Sequence, residues 1–205
     1  MRIDHVIYAV GDLDAAAARL KGEFGLGSVE GGRHPAWGTA NRIVPLGDDY
    51  LELMTVADPA QARGTAVGGP MLEALAGGER LLGWAVATDE IERVAERLGL
   101  EVTGGSRTRP DGVTLSWRLA GVEHALVDGA FPFFIQWDVP ADLHPGRARA
   151  EHRAVPRGIA WVEVAADEGL RSSLQELDLP VRIVDGPSAI VAAAIDTSAG
   201  EVVLR

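Results

Sequence analysis

Residues 3–10 (IDHVIYAV) form a short apolar run rich in β-branched side chains, which predicts a strand. Gly11-Asp12-Leu13-Asp14 follows, and Asp12 has the chemistry of a helix N-cap. The next stretch, AAAARLKGEFG, is built from strong helix formers and stops at Gly25. Beyond a Gly-rich loop, residues 39–46 (TANRIVPL) and 50–56 (YLELMTV) read as two strands around a turn at Gly47-Asp48-Asp49. The order is strand, helix, loop, strands.

That order returns twice. Residues 82–88 (LGWAVAT) read as a strand, and Asp89 as the cap of EIERVAERLG. Ile91, Val94, Ala95 and Leu98 recur there at helical spacing, and Gly99 closes the helix. A short strand at 101–103, an alternating strand at 113–119 (VTLSWRL) and a last strand at 131–137 (FPFFIQW) complete the unit. A third unit begins at Gly158, with a strand at 159–164, a helix at 168–177, and then VRIV, AIVAAAI and EVVLR. Residues 140–156 are polar, Pro-rich and Arg-rich and read as a linker. Residues 57–79 form a second connection, with a short helix around 70–75. The expected fold class is α+β. Units at 1–56 and 80–138 make a domain over 1–139, and a divergent third βαβββ-like unit spans 157–205.

Composition narrows the function. Hydrophobic residues make up 47% and charged residues 24%, so the chain can bury a core. The net charge of −11 argues against nucleic acid and against anionic membrane surfaces as partners. The absence of cysteine excludes disulfides, thiolate metal sites and a Cys nucleophile. No apolar run is long enough to span a bilayer, and MRIDHVIYAV lacks the basic-then-apolar order of a signal peptide. A soluble cytoplasmic protein is the expectation. No P-loop, no GxSxG and no HExxH occurs, and the single lysine, Lys21, makes Schiff-base chemistry improbable.

Two tandem βαβββ units, opening with I-D-H-V and closing the first unit with Y-L-E-L, resemble the vicinal oxygen chelate superfamily of glyoxalases, bleomycin-resistance proteins and extradiol dioxygenases. The stretch GRHPAWGTANR leading into IVPLGDDYLEL resembles its glyoxalase-like domain branch. The resemblance covers residues 1–138. It implies a curved, half-open mixed barrel with helices outside and a small-molecule pocket within. It also implies one divalent metal, held by a His from a unit's first strand and a Glu from its last, and chelated by the substrate through two adjacent oxygens.

His5 and Glu52 match those ligand positions. Strand alternation sets His5 with Ile7 and Ala9, and Glu52 with Tyr50 and Met54. Imidazole and carboxylate together suit Zn, Fe, Mn or Ni. Aligning IDHVIYAVGDL with LLGWAVATDEI sets Gly83 or Trp84 opposite His5, and FPFFIQW sets Gln136 where a second Glu would stand. The candidate metal set is therefore His5, Glu52 and Gln136, which is incomplete. If no metal binds, Glu52 needs another partner, and Arg42 and Arg118 are the candidates. His34 is the candidate general base, because its unperturbed pKa lies near working pH. Trp37, Thr39, Asn41, Arg42, Trp84, Ser116 and Arg118 are the candidate substrate pocket. Two functions fit: a divalent-metal-dependent lyase, isomerase or dioxygenase on a small oxygenated substrate, or a metal-free small-molecule binding protein. The third unit either docks on the barrel or mediates a homodimer.

Overall fold

Asp12 accepts hydrogen bonds from the N–H groups of Asp14 and Ala15, and helix α1 (Leu13–Phe24) starts there as expected. Strand β1 (Arg2–Ala9) precedes it. The Gly-rich segment read as a loop is in fact a strand, β2 (Val29–His34), followed by β3 (Thr39–Pro45) and β4 (Tyr50–Val56). These elements belong to a computed structural model that describes residues 1–205. Helices α2 (Pro59–Ala62) and α3 (Gly68–Ala76) lead into the second unit. That unit comprises β5 (Arg80–Ala87), α4 (Ile91–Leu98), β6 (Val102–Thr108), β7 (Thr114–Ala120), α5 (Val122–Asp128) and β8 (Phe133–Trp137). Helix α5 had no counterpart in the sequence reading.

The first two units share one eight-stranded sheet, ordered β2-β3-β4-β1-β5-β8-β7-β6. The order is symmetric about the antiparallel β1–β5 pair. In each unit the first strand runs parallel to the last, β1 with β4 and β5 with β8. The sheet curves into a nearly closed barrel with helices outside. One face packs against α1 and α4, through Ile3, Val6, Leu51, Leu53, Trp84, Val86 and Phe134. The other face encloses a cavity, with Ile7, Met54, Ala85, Phe133 and Ile135 behind it.

The third unit has the same element order but different pairing. Strand β9 (Pro156–Ala165), helix α6 (Glu168–Gln175), β10 (Val181–Val184), β11 (Ala189–Thr197) and β12 (Val202–Leu204) form a separate sheet ordered β10-β9-β11-β12. Its first strand pairs with its second in parallel, a βαβ crossover, where the other units pair first with fourth. One face of this sheet joins the outer core. Val162, Val164 and Ile195 belong to the same buried cluster as Trp84 and Phe134. The β3–β4 turn fastens the junction. The Asp49 carboxylate accepts the Ile159 N–H at 2.9 Å, and the Gly47 N–H donates to the Gly146 carbonyl at 3.0 Å. A Cβ at Gly146 would stand 2.4 Å from the Asp49 carbonyl oxygen, so the contact demands glycine.

The shared core predicts cooperative unfolding. Ile195 is 2% exposed, and Ile195→Ala should cost about 2–5 kcal/mol. Calorimetry should show one transition displaced as a whole. A separate melting step for the third sheet would contradict the shared core.

Candidate functional site

Strand β1 carries His5 into the cavity, and a β-bulge beside it buries Asp4 behind the cavity wall. Opposite β5, Ile3 pairs with Val86 and His5 with Ala85, which leaves Asp4 as an extra residue. Asp4 therefore escapes the alternation that would have set it against His5. Its carboxylate is fully buried, hydrogen-bonds three side chains and has the Arg2 guanidinium 3.7 Å away. Asp4 Oδ1 lies 2.7 Å from His5 Nδ1, and Oδ2 lies 3.0 Å from His144 Nε2. Trp137 Nε1 donates to Oδ2 at 3.2 Å. Burial alone would raise the Asp4 pKa, but the hydrogen bonds and charges of His144 and His5 outweigh it and hold the carboxyl well below its usual range. An ionised carboxylate only accepts, so both imidazoles donate to it. His5 Nε2 is thereby left 3.6 Å from Glu52 Oε2. The ring of His5 stacks on Tyr50 at 4.5 Å between centroids.

Strand β4 presents Tyr50, Glu52 and Met54 to the cavity, as alternation required. The partner of Glu52 is Asn41 of β3, whose amide nitrogen donates to Oε1. His34 closes β2 against Thr39, its Nδ1 3.1 Å from the hydroxyl. Trp37, Trp117, Trp137, Phe133, Leu119 and Ile135 supply the apolar wall of a narrow cavity, and about 450 Å³ of empty space lies within it and its mouth, part of it open to solvent. Arg107 of β6 lies at its rim and donates to the Gly31 carbonyl of β2. Apolar walls with a few convergent polar groups are how small-molecule sites are built.

The structure thus brings His5, His34, Trp37, Asn41 and Glu52 to one cavity and places the other predicted residues elsewhere. Thr39 stands behind His34 rather than on the wall. Arg42 points out of the barrel, one residue out of phase with Asn41, and pairs with Asp14 at 2.9 Å. Ser116 and Arg118 are half-buried in a separate surface cleft that they share with His34, Trp37 and Trp117, and Arg118 pairs with Asp138 at 2.8 Å. Trp84 is fully buried in the outer core, and its indole N–H donates to the Ala130 carbonyl at 3.0 Å. Gln136 also lies on the outer face, where its Oε1 accepts the Ile91 N–H at 3.0 Å and caps α4. Asp89, the expected cap of that helix, makes no such bond. Sequence reasoning missed Asp4, Arg107, Phe133 and His144. Asp4 lay inside the IDHV motif, but nothing in the sequence marked the bulge. Arg107 and His144 carried no local signal at all.

A family described as "Glyoxalase-like domain" matches residues 3–177. The chain belongs to this family. No curated protein matches it in sequence. Among solved structures, a hypothetical protein from Staphylococcus aureus is 16% identical with a TM-score of 0.68, over 92% of this chain and 88% of that one. This likeness shows the fold. Methylmalonyl-CoA epimerase from Mycobacterium tuberculosis is 18% identical with a TM-score of 0.49, over 68% and 89% of the two chains. The Streptomyces coelicolor epimerase, in complex with 2-nitronate-propionyl-CoA, is 19% identical with the same TM-score, over 68% and 96%.

Resemblance to this family implied a divalent metal, and the donor set of this glyoxalase-like protein can be tested against one. His5 and Glu52 converge as the first half of such a set. The second half is gone. Ala85 beside Phe133 repeats the pairing of His5 with Tyr50, and two residues on Ile135 takes the place of Glu52. Gln136, the expected third ligand, faces the other way because Phe133, Ile135 and Trp137 hold the cavity side of β8. No three His, Asp or Glu side chains are grouped to hold an ion anywhere in the chain. A catalytic metal needs about three protein ligands with open positions besides. The residues present do not fit that requirement.

Burial lowers the His34 pKa to about 4; the Glu52 charge opposes this and Arg107 reinforces it. His34 is therefore neutral at working pH, and its low pKa makes it a weak base. The unfolded chain takes up this proton below about pH 6.5, the folded chain only below about 4. Stability contributed by His34 is thus present above 6.5 and lost as pH falls, by about 3 kcal/mol in total. Denaturant titrations of wild type and His34→Gln should show the wild type gaining on the variant by that amount between pH 4 and 6.5. A gap constant with pH would contradict it.

Proposed function

We infer that this cavity binds a small, largely apolar molecule without the help of a divalent metal. The observation that carries the reading is the cavity side of β5 and β8, where Ala85 and Ile135 stand in the places that mirror His5 and Glu52. Aromatic walls supply the affinity, by burial and by edge and face contacts with a ring. The His5–Glu52 pair at the floor supplies orientation, since Asp4 and Asn41 hold both groups in place before any ligand arrives. Elemental analysis of protein purified without chelator or metal-affinity resin is the direct test. Substoichiometric metal is expected, with no change on His5→Ala. A stoichiometric ion lost in His5→Ala would return the cavity to metal-assisted chemistry.

A second reading rests on the Asp4–His5 contact. A buried carboxylate holding one imidazole nitrogen while the other faces a cavity is the arrangement of an oriented general base. On this reading the protein moves a proton on its ligand, with His5 Nε2 and Glu52 as the exchanging groups. For any ligand turned over, His5→Gln should lower kcat about 10²–10⁴-fold with KM little changed. A ligand bound tightly and recovered unchanged leaves the protein a binder.

A further inference from the structure

The eight-stranded sheet does not close. Its two edge strands, β2 and β6, meet without pairing. They approach closely all the same: a Cβ on Gly32 would stand 2.8 Å from the Thr108 carbonyl oxygen. Arg107 bridges this seam by donating from Nη1 to the Gly31 carbonyl. Its side chain lines the inner cavity on one side and an outer cleft on the other.

The electrostatics of Arg107 are incomplete. The residue is only 5% exposed, yet no carboxylate lies within 4 Å of it. The Gly31 carbonyl is its one hydrogen-bond partner, which leaves Nε and Nη2 without a protein acceptor and open to a ligand or to solvent. Those two N–H groups form the edge of a guanidinium that meets a carboxylate with two parallel bonds. A buried cation without a counter-ion is costly, and burial accordingly works against the charge on Arg107. Glu52 is near enough to favour that charge but is held by Asn41 across the cavity. The outer cleft adds Arg109, Arg147 and Arg149 against Glu30, Asp111 and Asp142. Arg109 is paired with Asp111, and Arg147 with Asp48, while Arg149 has no carboxylate within 4 Å. Glu30 and Asp142 of that cleft likewise have no arginine within 4 Å, so the cleft is balanced and the place for an anion is the unpaired edge of Arg107 at the seam.

We propose that the ligand is an apolar carboxylate, a ring-sized body with one anionic group, whose carboxylate pairs with Arg107 at the β2–β6 seam while its body fills the aromatic cavity. This deepens the cavity-binding reading above and rests on it. The apolar end meets Trp37 and Trp117, which lie on the same cavity as Arg107. The negative head stays at the rim, away from the Glu52 carboxylate.

The test compares 2-naphthoate with its neutral isostere 2-naphthamide, followed by calorimetric titration or by quenching of the cavity tryptophans. Wild type should bind the naphthoate about tenfold tighter or more, because a charge-assisted bond to a buried cation is lost in the amide. Arg107→Gln should erase the preference, and Arg107→Lys should restore part of it. The wild-type comparison keeps the proposal testable even if the variants fold poorly. Equal binding of both probes to wild type overturns the carboxylate proposal and leaves the cavity reading standing. Binding of neither probe overturns both.

Discussion

A buried carboxylate is tolerated only if every lone pair it turns inward finds a donor. Asp4 meets that condition with groups from three parts of the chain: His5 on its own strand, Trp137 at the end of β8, and His144 in the segment beyond. The first unit, the second unit and the connection to the third are tied at one atom group. His144 itself is satisfied on its other nitrogen, which accepts the Gly146 N–H at 3.1 Å. Gly146 in turn holds the β3–β4 turn. The polar centre of the cavity and the docking of the linker are therefore one hydrogen-bonded chain. The orientation of His5 is a consequence of it.

The two faces of the barrel sheet divide the labour. The outer face buries ordinary aliphatic and aromatic side chains against helices and against the third sheet. The inner face carries the acid and the imidazoles in its first half only, since the mirror positions in the second unit are apolar and that unit adds just Arg107 at the edge. The cavity is consequently lopsided: acid and imidazole on the β1–β4 side, hydrocarbon on the β5–β8 side, and a single guanidinium at the seam. That asymmetry separates this glyoxalase-like protein from a symmetric metal cage and suits the two-ended ligand proposed above.

The candidate site was legible where side-chain period and strand register were regular. His5, Glu52 and Asn41 alternate faithfully, and they converge. Gln136 and Trp84 failed for a shared reason: each strand's phase was assigned by analogy with the first unit, and one residue of error reverses the face. Arg42 and Arg118 failed differently. Both sit on outward positions beside acidic side chains, and an exposed pair with Asp14 or Asp138 answers their charge without any role in the cavity. Asp4 was hidden by the bulge, because a single extra residue in β1 turns a side chain that alternation had assigned to the outer core.

The amino-acid order by itself determined most of the elements, β2 and α5 apart, their caps at Asp12, Gly25 and Gly99, the repeat of βαβββ units, and the identity of the imidazole and carboxylate in IDHV and YLEL. These are local properties, set by helix propensity, β-branching and period. Tertiary structure alone decided the strand pairing of the third unit, the bulge that buries Asp4, and the meeting of His144 and Trp137 with it. It alone decided that Arg107 spans the seam between β2 and β6. Each of these joins residues far apart in the chain, and such contacts follow from how curved sheets close and pack, which no local pattern encodes.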